Sequence, residues 1–365
     1  WSGSAWTQVG ADIDGEAADD RSGFSVALSS DGTRLAVGAY GNDGTGTDAG
    51  HVRVFDWSGS AWTQVGADID GEAAGDRFGH SVALSSDGTI LAVGAELNDG
   101  GGSDAGHVRV YVESGGTWTQ LGADIDGDAV NDRFGYSVAL SPDGSRLVVA
   151  GANYNPGYVR VFDWSGSAWT QVGADLNGEA AGDVFGYSVA LSSDGTRFAV
   201  GAVLNDGTGT DSGHVRVFDA VLSAWTQLGV DIDGEAAGDY FGTSTALSSD
   251  GTILAAGGFL NDGTDTDAGH VRVYKESGGA WTQLGLDIDG EAAGDQSGTS
   301  VALSSDGSRL AVGGPRNVGD DTQAGHVMVF DWSRSAWNQV GLDIDGEAYD
   351  DSSGMSVALS SDGTC

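Results

Sequence analysis

The chain has 365 residues, with 54 acidic side chains against 15 basic ones, a net charge of −39, and 39% hydrophobic residues. A surface this negative repels nucleic acid and anionic membranes and favours solubility and cation binding. The single cysteine is Cys365, so no disulfide can form within the chain, and no apolar run approaches the ~18 residues of a membrane-spanning helix.

Glycine is abundant (63 residues) and proline scarce (3). Without a collagen triplet, glycines set between short apolar runs indicate β-structure rich in tight turns. The chain opens with W-S-G-S-A-W (Trp1 to Trp6), which recurs as Trp57 to Trp62. It therefore starts in mid-repeat and is expected to be a fragment of a longer repeat array. The tryptophan of W-T-Q or its variant marks the period at Trp6, Trp62, Trp118, Trp169, Trp225, Trp281 and Trp337, with five intervals of 56 residues and one of 51.

Each full unit holds four strand-like runs, here lettered a to d. In the second unit strand a is S-V-A-L (Ser81 to Leu84) and strand b L-A-V-G-A (Leu91 to Ala95). Strand c is H-V-R-V-Y (His107 to Tyr111), and strand d W-T-Q-L-G (Trp118 to Gly122). Asp-Gly between a and b is a strong hairpin signal because glycine tolerates positive φ. One four-stranded meander cannot bury both its faces, whereas several packed around an axis bury each against the next. The expected fold is all-β, a β-propeller of four-stranded antiparallel blades with about 56 residues per repeat, spanning 1–365 as one domain. There are seven copies of strands d and a but six of b and c, so seven blades are expected, with six as the alternative. Units one and four, two and five, and three and six share local spellings, as if a block of three had been copied.

Antiparallel order places the d-to-a and b-to-c loops at one end of every blade. The d-to-a loop, D-I-D-G-E-A-A-G-D, carries carboxylates at positions 1, 3, 5 and 9. Alternating acids around a glycine turn can converge on one ion, so Ca²⁺ is the candidate cofactor. The candidate ligands are Asp12, Asp14, Glu16 and Asp20; Asp68, Asp70, Glu72 and Asp76; Asp231, Asp233, Glu235 and Asp239; and Asp287, Asp289, Glu291 and Asp295. The competing reading is that these carboxylates cap turns and face solvent.

His51, His107, His214, His270 and His326 open strand c, with Tyr158 at that place in the third unit. They read as satisfied histidines at a strand start, because no second imidazole lies at ligand spacing. The V-R-V arginines read as structural partners of nearby carboxylates, and Met328 replaces one of them. The strand d tryptophans read as packing between blades. Trp57, Trp164 and Trp332 lie in the c-to-d hairpins, nearer the rim, and are the candidate carbohydrate-binding residues.

The runs F-G (Phe78-Gly79, Phe134-Gly135, Phe185-Gly186, Phe241-Gly242) and V-G-A (Val37 to Ala39, Val93 to Ala95, Val200 to Ala202), with Gly313-Gly314-Pro315 as a near match, resemble the FG-GAP repeat of integrin α-subunit propellers and their bacterial and algal relatives. The resemblance implies a seven-bladed, extracellular, non-catalytic propeller used in adhesion or ligand binding. The calcium loop that family often carries between strands a and b is replaced here by S-S-D-G-T, too short to wrap an ion, so that metal site is not carried over.

No G-x-S-x-G elbow occurs, and every unit repeats the same acids, which points away from an enzyme. The expectation is a non-enzymatic, extracellular or cell-surface structural and adhesive module, part of a filament or array. Its partners would be other proteins or copies of itself, and glycans in the alternative, lectin-like reading.

Overall fold

A computed structural model describes residues 1–153, 155–221, 224–317 and 323–365. These contain thirty strands and no helix. The strands form six antiparallel sheets with strands a, b, c and d in sequence order. In the first sheet β1 (Ser22–Leu28) pairs with β2 (Arg34–Ala39), β2 with β3 (His51–Trp57), and β3 with β4 (Trp62–Gln64). A two-residue strand, β5 (Ile69–Asp70), returns to the start of β3, opposite His51 and Val52. The outer strand is thus broken after W-T-Q, and it resumes along the same neighbour where the acidic loop begins.

The fold is all-β, six propeller blades of four antiparallel strands. The expectation of seven is corrected, and the alternative of six holds. The seventh copy of strand a, Ser353 to Leu359, meets no strand b and forms no ladder, although it keeps its contacts to the sixth blade. Ser300 Oγ donates to Gly354 O at 2.7 Å, and Arg309 Nη1 to Gly363 O at 2.8 Å. The N-terminal amine of Trp1 donates to Thr364 O at 2.6 Å, the same bond that Trp57 N makes to Thr33 O within the first blade at 2.8 Å.

The described chain divides into two compact units, 8–178 and 1–7 with 179–365, each holding three sheets. In the first unit, strand c of one blade packs on strands a and b of the next. Val52, Val54 and Ile69 meet Phe78, Leu91, Val93 and Tyr111 in one buried cluster. The second unit repeats this with Val215, Val217 and Ile232 against Phe241, Leu254 and Tyr274. The phenylalanines of F-G at 78, 134, 185 and 241 are fully buried. Strand d indoles also reach the previous repeat within each unit: Trp62 Nε1 donates to Val9 O at 3.0 Å, Trp118 to Val65 O at 3.1 Å, and Trp337 to Leu284 O at 3.0 Å. The expected packing role of these tryptophans is met.

Successive blades touch through backbone. A Cβ on Gly94 would sit 2.0 Å from Gly135 O, and one on Gly257 2.0 Å from Gly298 O. Ser81 Oγ donates to the same Gly135 oxygen at 2.8 Å, and Ser244 to Gly298 O at 2.7 Å. The glycine of V-G-A and that of the next F-G are therefore two halves of one contact, locked by a serine from strand a. The third repeat carries Ala150 in place of the first of these glycines.

Gly94→Ala should lower stability by about 1–3 kcal/mol through overpacking against backbone that cannot withdraw. Ser81→Ala should cost less, about 0.5–1.5 kcal/mol for one lost hydrogen bond. Urea unfolding of the two variants checks the order, and equal stability of Gly94→Ala and the parent would contradict the contact.

Candidate metal centre

Within each acidic loop the carboxylates are drawn in different directions. Each carboxylate position goes to a different partner. The first aspartate accepts from the strand d glutamine, as Gln64 Nε2 to Asp68 Oδ1 and Gln227 Nε2 to Asp231 Oδ1, both at 2.6 Å, with Asp12 and Asp287 held likewise by Gln8 and Gln283. The second lies in the two-residue strand opposite the histidine, as Asp70, Asp233 and Asp289 do. Burial pushes Asp233 and Asp289 above the ordinary carboxylate range. At Asp14 the backbone carbonyl takes a bond from Arg53. The last aspartate caps its own turn: Asp20, Asp76, Asp239 and Asp295 accept from Ala17 N, Ala73 N, Ala236 N and Ala292 N at 2.8–3.2 Å. Asn98 Nδ2, from the b-to-c loop, donates to Asp76 at 2.9 Å and to Glu72 at 3.0 Å. The two loop types therefore meet at one end of the blade, as the topology required.

The glutamate at position 5 leaves its own loop and reaches strand c of the next blade. There it meets the first aspartate of the following loop and the strand-opening histidine. Five such groups occur among the described residues: Glu16, His51 and Asp68; Glu72, His107 and Asp124; Glu179, His214 and Asp231; Glu235, His270 and Asp287; Glu291, His326 and Asp343. In each, one ligand atom per residue lies within 4.8 Å of the others. One imidazole and two carboxylates at this range could hold a metal ion. Sequence spacing concealed the set because its members come from two different loops and a strand.

The histidines are buried, and at His107, His214, His270 and His326 neither ring nitrogen has a hydrogen-bond partner. The expected satisfied histidine is not what the fold provides. Burial is the leading cause that drives His107 and His214 down to about 4, against a weaker opposing pull from nearby carboxylates. His51 and His270 are lowered for the same first reason.

In the second and fifth blades an arginine already bridges the carboxylates. Arg109 donates to Asp124 at 2.7 and 2.8 Å and to Glu72, and Arg272 pairs with Asp287 and Glu235. The Arg109 guanidinium holds Glu72 and Asp124 below the usual carboxylate range. The structural role expected of these arginines is met. In the third blade Tyr158 Oη donates to Asp132 at 3.1 Å, and Arg160 pairs with Asp128 and Asp175. Tyr154 of that repeat's N-Y-N-P-G loop lies outside the described residues.

The rim tryptophans Trp57, Trp164 and Trp332 pair with Trp62, Trp169 and Trp337 at ring-centroid distances of 5.4 Å and stay half-buried. Each also covers a glycine of the preceding repeat, Gly10, Gly122 or Gly285.

A histidine depressed by burial binds its proton more weakly in the folded chain than in the unfolded one. Its stabilising contribution is full above the unfolded value near 6.5 and is lost as pH falls towards 4. Between pH 7 and 5 His107 alone should cost about 2 kcal/mol. His107→Tyr, the residue the third repeat carries at this place, should flatten the dependence of the urea midpoint on pH by that amount. An unchanged slope would refute the burial argument.

The chain resembles known proteins at two levels. The family described as "FG-GAP repeat" matches residues 11–55, 68–111 and 177–218. No curated protein sequence matches. Among solved structures, hydrazine synthase of Kuenenia stuttgartiensis is 16% identical with a TM-score of 0.59, covering 98% of this chain and 93% of that one. A structure titled putative 6-phosphogluconolactonase from Bacteroides uniformis is 14% identical with a TM-score of 0.63, covering 90% and 87%. The periplasmic gluconolactonase of Pseudomonas aeruginosa is 18% identical with a TM-score of 0.61, covering 90% and 86%. At these identities the likeness is one of fold. It nevertheless overturns the expectation that the chain is no enzyme, because that expectation rested on repetition and proteins titled as lactonases share this architecture. The family matches cover strands a, b and c of the first, second and fourth repeats, and there the chain carries FG-GAP repeats.

Proposed function

We propose that the chain is an extracellular or cell-surface module that acts structurally or adhesively through the acidic ends of its blades. Its partners in this reading are other proteins or further copies of itself, gathered by divalent cations. The observation that supports it is the loop chemistry: within each unit the d-to-a and b-to-c loops converge, and many of their carboxylates are only partly neutralised by fixed cations. Asp43, Asp99, Asp206 and Asp262 each spend one oxygen on a backbone N–H five residues on and stay exposed. Surfaces of this kind repel one another at low ionic strength and are drawn together when a divalent cation is shared between them. Calcium suits such bridging, because exposed carboxylates of two molecules supply oxygen donors without a preformed cage.

The half-buried indoles of Trp57, Trp164 and Trp332 support a subsidiary glycan contact, as stacking needs one free aromatic face. The main reading is tested by sedimentation of the protein with and without millimolar Ca²⁺. Calcium should shift the distribution to larger species, chelator should reverse the shift, and about 0.5 M salt should weaken it by screening. A monomer under every condition would remove the cation-bridged reading.

A further inference from the structure

The sixth blade differs from the others at the point where the carboxylates meet. Strand c there reads His326-Val327-Met328, and Met328 lies opposite Val312 as Arg109 lies opposite Val93. The guanidinium that ties Glu72 to Asp124 and Glu235 to Asp287 has no counterpart, and Met328 is 2% exposed. Among the described residues no arginine or lysine pairs with Glu291 or Asp343. His326 is fully buried, both its ring nitrogens lack a hydrogen-bond partner, and its Nδ1 faces Asp343 Oδ2 at 3.9 Å. Glu291 completes the group within 4.8 Å.

We propose that Glu291, His326 and Asp343 form a binding site for one divalent transition-metal ion of the zinc class. Two carboxylates and a buried imidazole without a hydrogen-bond partner face one another with no internal cation, whereas an ion between them would satisfy all three. The donor set decides the class of metal. Calcium and magnesium take oxygen ligands, six to eight of them for calcium, while an imidazole nitrogen with two carboxylates suits zinc, cobalt or nickel. Three protein ligands leave a further position for water, and exposed Glu291 with partly exposed Asp343 gives the ion a route in from solvent. Gln339 Nε2 donates to the other oxygen of Asp343 and orients that carboxylate from behind. In the other four groups an arginine of strand c, Arg53, Arg109, Arg216 or Arg272, stands within 4.0 Å of one of the carboxylates, so one site per chain is expected rather than five. The inference is independent of the surface role proposed above, since it concerns a ligand set built on a buried histidine and a different class of ion.

The test uses the whole chain, freed of metal by chelator and titrated with Co²⁺ at about 0.5 M salt, where diffuse binding to the acidic surface is screened. One equivalent of Co²⁺ should bind with a visible d–d band, and Zn²⁺ should displace it while a hundredfold excess of Ca²⁺ should not. Met328→Arg, which installs the arrangement of the second and fifth blades, and His326→Gln should each abolish the band, with circular dichroism confirming that the sheets remain. Loss of the band in Met328→Arg with intact sheets supports the site even if His326→Gln does not fold. No band in the parent, a band unaffected by Met328→Arg, or displacement by Ca²⁺ would overturn it.

Discussion

Consecutive blades are held at a fixed distance by backbone meeting backbone. Where Gly94 faces Gly135, or Gly257 faces Gly298, no room remains for a single carbon. A contact of this kind is sterically unforgiving, because the opposing atom is a carbonyl oxygen whose own strand is paired on its other side. The serine of strand a takes that oxygen as an acceptor, so the closest approach is also hydrogen-bonded. Once this spacing is set, the buried phenylalanine of F-G and the valines of strand c have one arrangement in which both are covered. The tryptophan of strand d, bonded to the carbonyl of the repeat before, fixes the same spacing further out.

The metal-capable groups follow from that spacing. A glutamate from one loop and an aspartate from the next can reach the same histidine only because the blades between them are locked in register. Burial and charge then compete at the imidazole. The carboxylates alone would raise its proton affinity, yet desolvation is the larger effect and leaves His107 and His214 neutral well below physiological pH. A neutral, unbonded nitrogen beside two acids is an acceptor without a donor. Where arginine is present, it neutralises the acids by bidentate bonding and leaves the ring unsatisfied, which is a tolerated defect rather than a working contact.

Much of the blade was legible in the chain itself. The 56-residue period, the Asp-Gly turns and the alternation in strands b and c identify four antiparallel strands, and Gly88 adopts the positive φ of 69° that the hairpin signal implies. Blade number was harder, because counting copies of strand a does not show whether each copy finds a strand b, and Ser353 to Leu359 does not. The carboxylates of the acidic loop were recognised as a set, but their grouping was not. Sequence proximity suggested four ligands from one loop, whereas the broken outer strand sends Asp70 towards His51 and leaves Glu72 to the next blade. The burial of the histidines was also hidden, since a strand-opening residue followed by alternating valines looks the same whether its ring nitrogens are bonded or not.

Repetition and function pull in opposite directions in a chain of this kind. A contact that recurs in nearly every blade, such as the glycine pair or the indole bond, is accounted for by architecture, since each blade needs it to cover its neighbour. Departures have no such account. Tyr158 donates its hydroxyl to Asp132, a hydrogen bond of the kind that His107, His214, His270 and His326 do not make, so the third blade leaves no unsatisfied group at this place. Met328 does the reverse, removing a cation while leaving the histidine and both acids in place. The third blade thus closes the position with protein atoms alone, and the sixth opens it to an ion from outside; the chemistry of a repeated fold resides in differences of that size.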